Sequence, residues 1–144
     1  MDINALKAEV AKLSSDSDYM DPGMQSAFKE HLQQTRSKLL EANESAVNEI
    51  KERGMPTGDE ADKSSENEDV AKTHSEIDAR KQQVTAINRA LELIARGDYG
   101  YCIDCGDEIG VKRLLARPFA VRDIECATVH DKKNQLEFTR SPAV

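Results

Sequence analysis

Two long stretches with heptad-like spacing flank a single Pro/Gly break, and that arrangement leaves this chain few ways to fold. Before the break, apolar or small residues fall at Phe28, Leu32, Thr35, Leu39, Ala42, Ala46 and Ile50. After it come Val70, Ile77, Val84, Ile87, Leu91 and Ile94. Steps of three, four and seven place each set along one narrow helical seam, as in a coiled coil. The break itself, Pro56-Thr57-Gly58, is a turn, because Pro cannot continue a helix and Gly accepts positive φ. A short turn between two such helices makes them antiparallel neighbours. The expectation is a helical hairpin over residues 22–96 with its tip at 56–64. A rise of ~1.5 Å per residue carries that tip about 35–40 Å from the base.

Composition agrees with a long solvated arm rather than a large round core. Only 4% of the residues are aromatic, Trp is absent and 33% are charged. The net charge of −7 argues against binding the nucleic-acid backbone, which takes clustered Lys and Arg. No apolar run reaches the ~18–20 residues of a membrane span. Met1-Asp2-Ile3-Asn4 lacks the basic and apolar regions of a signal peptide, so a cytoplasmic protein is expected. In that setting three cysteines read as metal ligands or reactive thiols before disulfides.

The remaining segments form the base. Residues 1–21 carry Ile3, Leu6, Val10 and Leu13 on one helical face, followed by the linker Ser14-Ser15-Asp16-Ser17-Asp18. Asp21-Pro22 restarts the chain as a helix, with Asp as N-cap and Pro in the first turn. Gly97 stops the second arm as a C′ residue. Residues 97–144 hold the cysteines and end in a short helix carrying Val129, Leu136 and Phe138, closed by Ser141-Pro142.

Two places carry chemistry. The tip is acidic, with Asp59, Glu60, Asp62, Glu66, Glu68 and Asp69 against Lys63 alone. Asp59 and Asp62 suit the start of a helix, where carboxylates cap amides and complement the dipole. An exposed capping residue can also touch a partner, so both readings stand. The second place is Cys102-Ile103-Asp104-Cys105-Gly106, a CxxC knuckle whose Gly lets backbone amides approach the sulfurs. Its counterpart is Asp123-Ile124-Glu125-Cys126. Three thiolates and a carboxylate can complete a zinc tetrahedron through Cys102, Cys105, Asp123 and Cys126. His130, four residues after Cys126, is the alternative fourth ligand. The competing view is that the cysteines pack as small apolar residues. Lys112, Arg113, Arg117 and Arg122 form a basic cluster nearby, either an anion site or a solvated balance to Asp104, Asp107 and Glu108.

The run Gly100-Tyr101-Cys102-Ile103-Asp104-Cys105-Gly106-Asp107-Glu108-Ile109-Gly110, with Arg113-Leu114 and Ala116-Arg117-Pro118, resembles the zinc finger of the DksA/TraR family. The hairpin and Asp59-Glu60-Ala61-Asp62 at its tip agree with that family. The resemblance implies a monomeric factor that binds bacterial RNA polymerase and no specific DNA sequence. It implies a hairpin in the secondary channel, an altered open-complex lifetime, and joint action with ppGpp in the stringent response. Asp59, Asp62 and Ser64 then become the contacts near the active centre, and Arg117 a nucleotide contact. Three departures bear on this. Ser64 stands where the family carries Ala. Asp123 replaces one of four cysteines, as in Cys-substituted members. Ala86 and Ala127 stand where the family carries Lys, so a weaker ppGpp response is expected.

The fold expected is therefore mainly α: a long antiparallel coiled-coil hairpin on a small zinc-finger-like base with N- and C-terminal helices. The function expected is transcription regulation without catalysis. Two alternatives are a thiol-based redox sensor using Cys102 and Cys105 and a structural coiled-coil adaptor. A CxxC oxidoreductase needs a βαβ context, which the sequence does not offer.

Overall fold

A computed structural model describes residues 2–14, 18–53 and 60–140, with side chains described outside 60–66. Five helices follow one another: α1 (Ile3–Ser14), α2 (Pro22–Arg53), α3 (Glu60–Arg96), α4 (Val111–Ala116) and α5 (Ile124–Arg140). The described residues contain no strand, only an isolated antiparallel bridge between Tyr101 and Glu108. Helices α2 and α3 pack on each other as the hairpin, and α1 lies against α2 and α4.

The start of the first arm and the end of the second have local causes, while the expected turn Pro56-Thr57-Gly58 lies outside the described residues. Asp21 Oδ1 accepts the Met24 amide at 2.8 Å, which makes Asp21 the N-cap of α2. At the end of α3 the Gly97 amide reaches the Ile94 carbonyl and the Asp98 amide reaches that of Leu93, a Schellman closure. Beyond the turn, Gly100 is required for space as well as conformation. Its φ is 91°, and a Cβ there would sit 2.5 Å from Met20 Cγ.

The core sits where the hairpin meets the base. Leu6 and Val10 of α1, Met24, Phe28 and Leu32 of α2, Ile87 and Ala90 of α3, and Leu114 of α4 are buried together around Tyr99. Thus α1 gains its stability by covering the root of the hairpin, as a short amphipathic helix must. Tyr99 is the pivot. Its ring lies 5.6 Å from that of Phe28, a tilted pair of the kind that adds about 0.5–1.5 kcal/mol to area burial. Its hydroxyl donates to the Pro118 carbonyl at 2.6 Å, so the buried polar end is satisfied.

Past Leu32 and Ile87 the two helices run on as a bare pair. The seam residues Thr35, Leu39, Ala42, Ala46 and Ile50 face Val70, Ile77 and Val84, all half-buried except the buried Ile77. Some twenty residues at ~1.5 Å each extend α2 about 30 Å beyond the core. Among the described residues one buried polar side chain joins this seam. Asn43 is buried; it donates to the Ile77 carbonyl at 3.3 Å and accepts from Arg80 at 3.4 Å.

The last helix differs from the expected short one. It spans 17 residues, none buried, and packs on no other described helix. Val129, Leu136 and Phe138 are exposed, Phe138 by 84%. The reason lies in the spacing: at ~100° per residue Phe138 points away from Val129 and Leu136, so no single apolar stripe forms. Ser141-Pro142 lies outside the described residues.

Candidate metal centre

The knuckle is built by backbone hydrogen bonds. The Gly106 amide donates to the Cys102 carbonyl at 3.0 Å, and the Cys102 amide donates to the Asp107 carbonyl at 2.8 Å. Gly106 has φ 80°, the left-handed turn that the closing residue of such a loop adopts. The second half is held against the first by the Ile103 amide, which donates to Val121 O at 3.0 Å. Arg122 Nε adds a 2.7 Å ion pair to Asp104 Oδ2, with the Arg122 side chain only 19% exposed. Arg113 Nε in turn donates to the Arg122 carbonyl at 3.0 Å. Part of the basic cluster is therefore structural: Arg122 and Arg113 lock the two halves of the finger together.

These ties bring Cys102, Cys105, Asp123 and Cys126 into one group, with a ligand atom from each within 4.8 Å of the others. Tetrahedral zinc, with bonds of ~2.0–2.3 Å, spaces its ligand atoms roughly 3.5–3.8 Å apart. From within 4.8 Å the four atoms need to close by about 1.3 Å at most, so the donor set fits the ion. His130 is not part of this group. It lies one turn beyond Cys126 on α5, but it lines the neighbouring cleft, with Nδ1 3.5 Å from Asn134 Nδ2.

Asp123 carries two roles that the spacing did not separate. Helix α5 begins at Ile124, and Asp123 is its N-cap: Oδ1 accepts the Cys126 amide at 2.7 Å. The other oxygen, Oδ2, accepts the Cys105 thiol at 3.0 Å. The Asp123 carboxyl is held below the usual carboxylate value, first by the Cys126 amide and then by the Cys105 thiol. The thiols divide. Burial works against the Cys102 thiolate, but amides of Cys105, Asp123 and Asp104 outweigh it and draw this thiol below its ordinary value. Cys105 is pushed up to about 11 by the Asp123 carboxylate it bonds. Cys126 is raised as well, first by its hydrogen bond with Cys102. A dication held by these four residues would reverse the last two, because a coordinating thiol is deprotonated outright.

Beside the sulfurs lies a basic cleft lined by Arg113, Arg117, Phe119, Arg122, His130 and Asp131, with Ala127 in its wall. Arg117 is exposed, and its guanidinium stands 5.6 Å over the Phe119 ring. The tip is described less fully. Asp59 lies outside the described residues, while Asp62 and Ser64 fall in the first turns of α3.

No local spacing in the sequence signals the contact that Tyr19 makes with the finger. Its hydroxyl donates to the Gly100 carbonyl at 2.6 Å and accepts the Gly110 amide at 3.0 Å, joining the start of the hairpin to the finger.

Comparison with known proteins places this arrangement. Residues 97–132 match the prokaryotic dksA/traR C4-type zinc finger, which spans the cluster just described. The RNA polymerase-binding transcription factor DksA of Salmonella typhimurium is 30% identical over 112 residues, covering 78% of this chain and 74% of that protein. The protein of the same name from Caulobacter vibrioides is 28% identical over 123 residues, covering 85% of this chain and 87% of its own. The solved structure of transcription factor DksA2 from Pseudomonas aeruginosa superposes with a TM-score of 0.73 and 32% identity. That match covers 92% of this chain and 98% of the solved one. The likeness takes in the hairpin as well as the finger, and it shows that this chain belongs to the DksA/TraR family.

Proposed function

We propose that this chain regulates transcription by binding bacterial RNA polymerase, with residues 1–21 and 97–144 as its base and residues 22–96 as the arm that acts. The observation that carries this reading is the reach of the similarity. Relatives named RNA polymerase-binding transcription factors match across 78% and 85% of the chain, arm and finger together. A bare two-helix arm about 30 Å long beyond its core suits insertion into a narrow passage, here the secondary channel. The base and the sides of the hairpin supply affinity, since varied contacts are available there. The tip is small and acidic and offers little apolar area. Asp59, Asp62 and Ser64 act at the inner end of the channel, near the catalytic centre, and alter open-complex stability. Such a factor works by holding one polymerase state more tightly than another. It needs no chemistry of its own and no sequence-specific DNA contact, in keeping with a net charge of −7. The protein acts as a cytoplasmic monomer. ppGpp assists weakly, through Arg117 in the basic cleft.

A purified-component pull-down with polymerase core enzyme, joined to transcription from a ribosomal-RNA promoter, tests this reading. Binding with a changed open-complex lifetime is expected. Absence of binding would favour the coiled-coil adaptor or the thiol sensor.

A further inference from the structure

The Asp123 carboxylate meets two demands in a single conformation. Oδ1 caps α5 at the Cys126 amide, 2.7 Å away, while Oδ2 lies among the sulfurs and accepts the Cys105 thiol at 3.0 Å. Neither bond has to be released for the other to form. A cysteine at this position has to serve both places through one sulfur, a weaker acceptor for the capping amide than a carboxylate oxygen. The remaining ties across the finger also need no ion. The Ile103 amide reaches Val121 O, Arg122 pairs with Asp104, and the buried Tyr99 hydroxyl reaches Pro118 O. Among the described residues no buried side-chain polar atom lacks a partner. Small zinc domains are commonly unfolded without metal, because the ion supplies what their cores do not. Here each contact that positions the ligands is made by the protein itself.

We propose that Asp123 separates the metal site from the fold. Through Oδ1 it holds the start of α5 whether or not a metal is bound. Through Oδ2 it presents the fourth ligand atom to a divalent metal of the zinc class, which binds to a base already assembled. The inference concerns the base alone and stands independently of the polymerase reading.

The experiment uses the full-length chain, zinc(II) as the ion and three substitutions at one position. All three tyrosines, Tyr19, Tyr99 and Tyr101, lie in the base and Trp is absent, so near-ultraviolet tyrosine dichroism reports on the base and not on the arm. Under a strong chelator, the wild type is expected to keep its tyrosine signal and a cooperative melt. Asp123→Asn retains a capping oxygen but not the anionic ligand. It should match the wild-type chelated melting temperature while binding zinc at least ~10-fold more weakly. Asp123→Ala loses both functions and should melt about 3–6 °C lower under chelator. Asp123→Cys should bind zinc more tightly than the wild type but melt lower when chelated. Loss of the wild-type tyrosine signal on chelation would overturn the proposal. So would equal chelated melting temperatures for the Asn and Ala variants, which would deny the cap. Unchanged zinc affinity in Asp123→Asn would deny the ligand.

Discussion

The Tyr19 hydroxyl accepts the backbone amide of Gly110 at 3.0 Å, across 91 residues of sequence. The same oxygen donates to Gly100 at 2.6 Å, so one side chain at the root of the hairpin closes both ends of the loop carrying Cys102 and Cys105. The arm is therefore fixed to the finger by a specific polar contact as well as by the apolar core.

Tyr19→Phe should accordingly destabilise the base while leaving the arm intact. The substitution keeps the ring, including its edge-on contact with Tyr101, but leaves the Gly110 amide without its partner, while the Gly100 carbonyl keeps the Ile109 amide at 2.9 Å. A cost of about 1–3 kcal/mol is expected. Chemical denaturation followed by tyrosine dichroism measures it, and unchanged helicity from the arm confirms that the effect is local.

Asn43→Leu should act in the opposite direction. A lone polar residue in a coiled-coil seam fixes register at a cost in stability. Its partner Arg80 retains Glu76 at 3.7 Å and a partly exposed side chain, so little is orphaned by the change. The melting temperature of the arm is expected to rise by about 3 °C. Amide exchange along α2 should become less uniform as alternative registers open.

Zinc should bind at one equivalent per chain. Cys126→Ser should weaken it by ~10-fold or more, whereas His130→Ala should leave it unchanged, because His130 lines the cleft and stands outside the ligand group. Competition against a chromophoric chelator provides the affinities.

Restoring cations should strengthen ppGpp action. Ala127 already lines the cleft that holds Arg113, Arg117 and His130, so Ala127→Lys places an ammonium beside existing positive charge. Charge-assisted contacts contribute roughly 1.5–3 kcal/mol each, so the double change Ala86→Lys, Ala127→Lys should raise the affinity for ppGpp about 100-fold or more in the polymerase complex. Arg117→Ala should reduce the residual response of the parent protein.

Much of this architecture was legible because it is periodic or local. Heptad spacing from Phe28 to Ile50 and from Val70 to Ile94 placed both arms, while Asp21 and Gly97 marked their ends through capping chemistry that acts within a few residues. The CxxC and DxxC spacings likewise put the four ligands together. Contacts that join distant segments left no such pattern. Tyr19 with Gly110 and Tyr99 with Pro118 depend on how the hairpin root meets the finger, which no local spacing encodes. Asn43 carries no such signal, because a coiled-coil seam is marked by apolar and small residues and a buried amide breaks that rule. The cap at Asp123 was readable in principle, since an Asp stands before a helical stretch. The metal-ligand spacing of the cysteines around it points only to its second oxygen.

The central claim is that the hairpin tip acts on polymerase while the rest of the molecule holds it there. Asp59→Asn and Asp62→Asn test it most directly, because Asn preserves size and capping ability but removes the charge. The measurement is transcription from a ribosomal-RNA promoter with purified polymerase, run beside a binding assay and far-ultraviolet dichroism. The account predicts unchanged helicity, polymerase affinity within about 3-fold of the parent protein, and loss of the effect on open-complex lifetime in either variant. Parent-like transcriptional activity in both variants, with binding intact, would contradict it and leave the two carboxylates as helix caps alone.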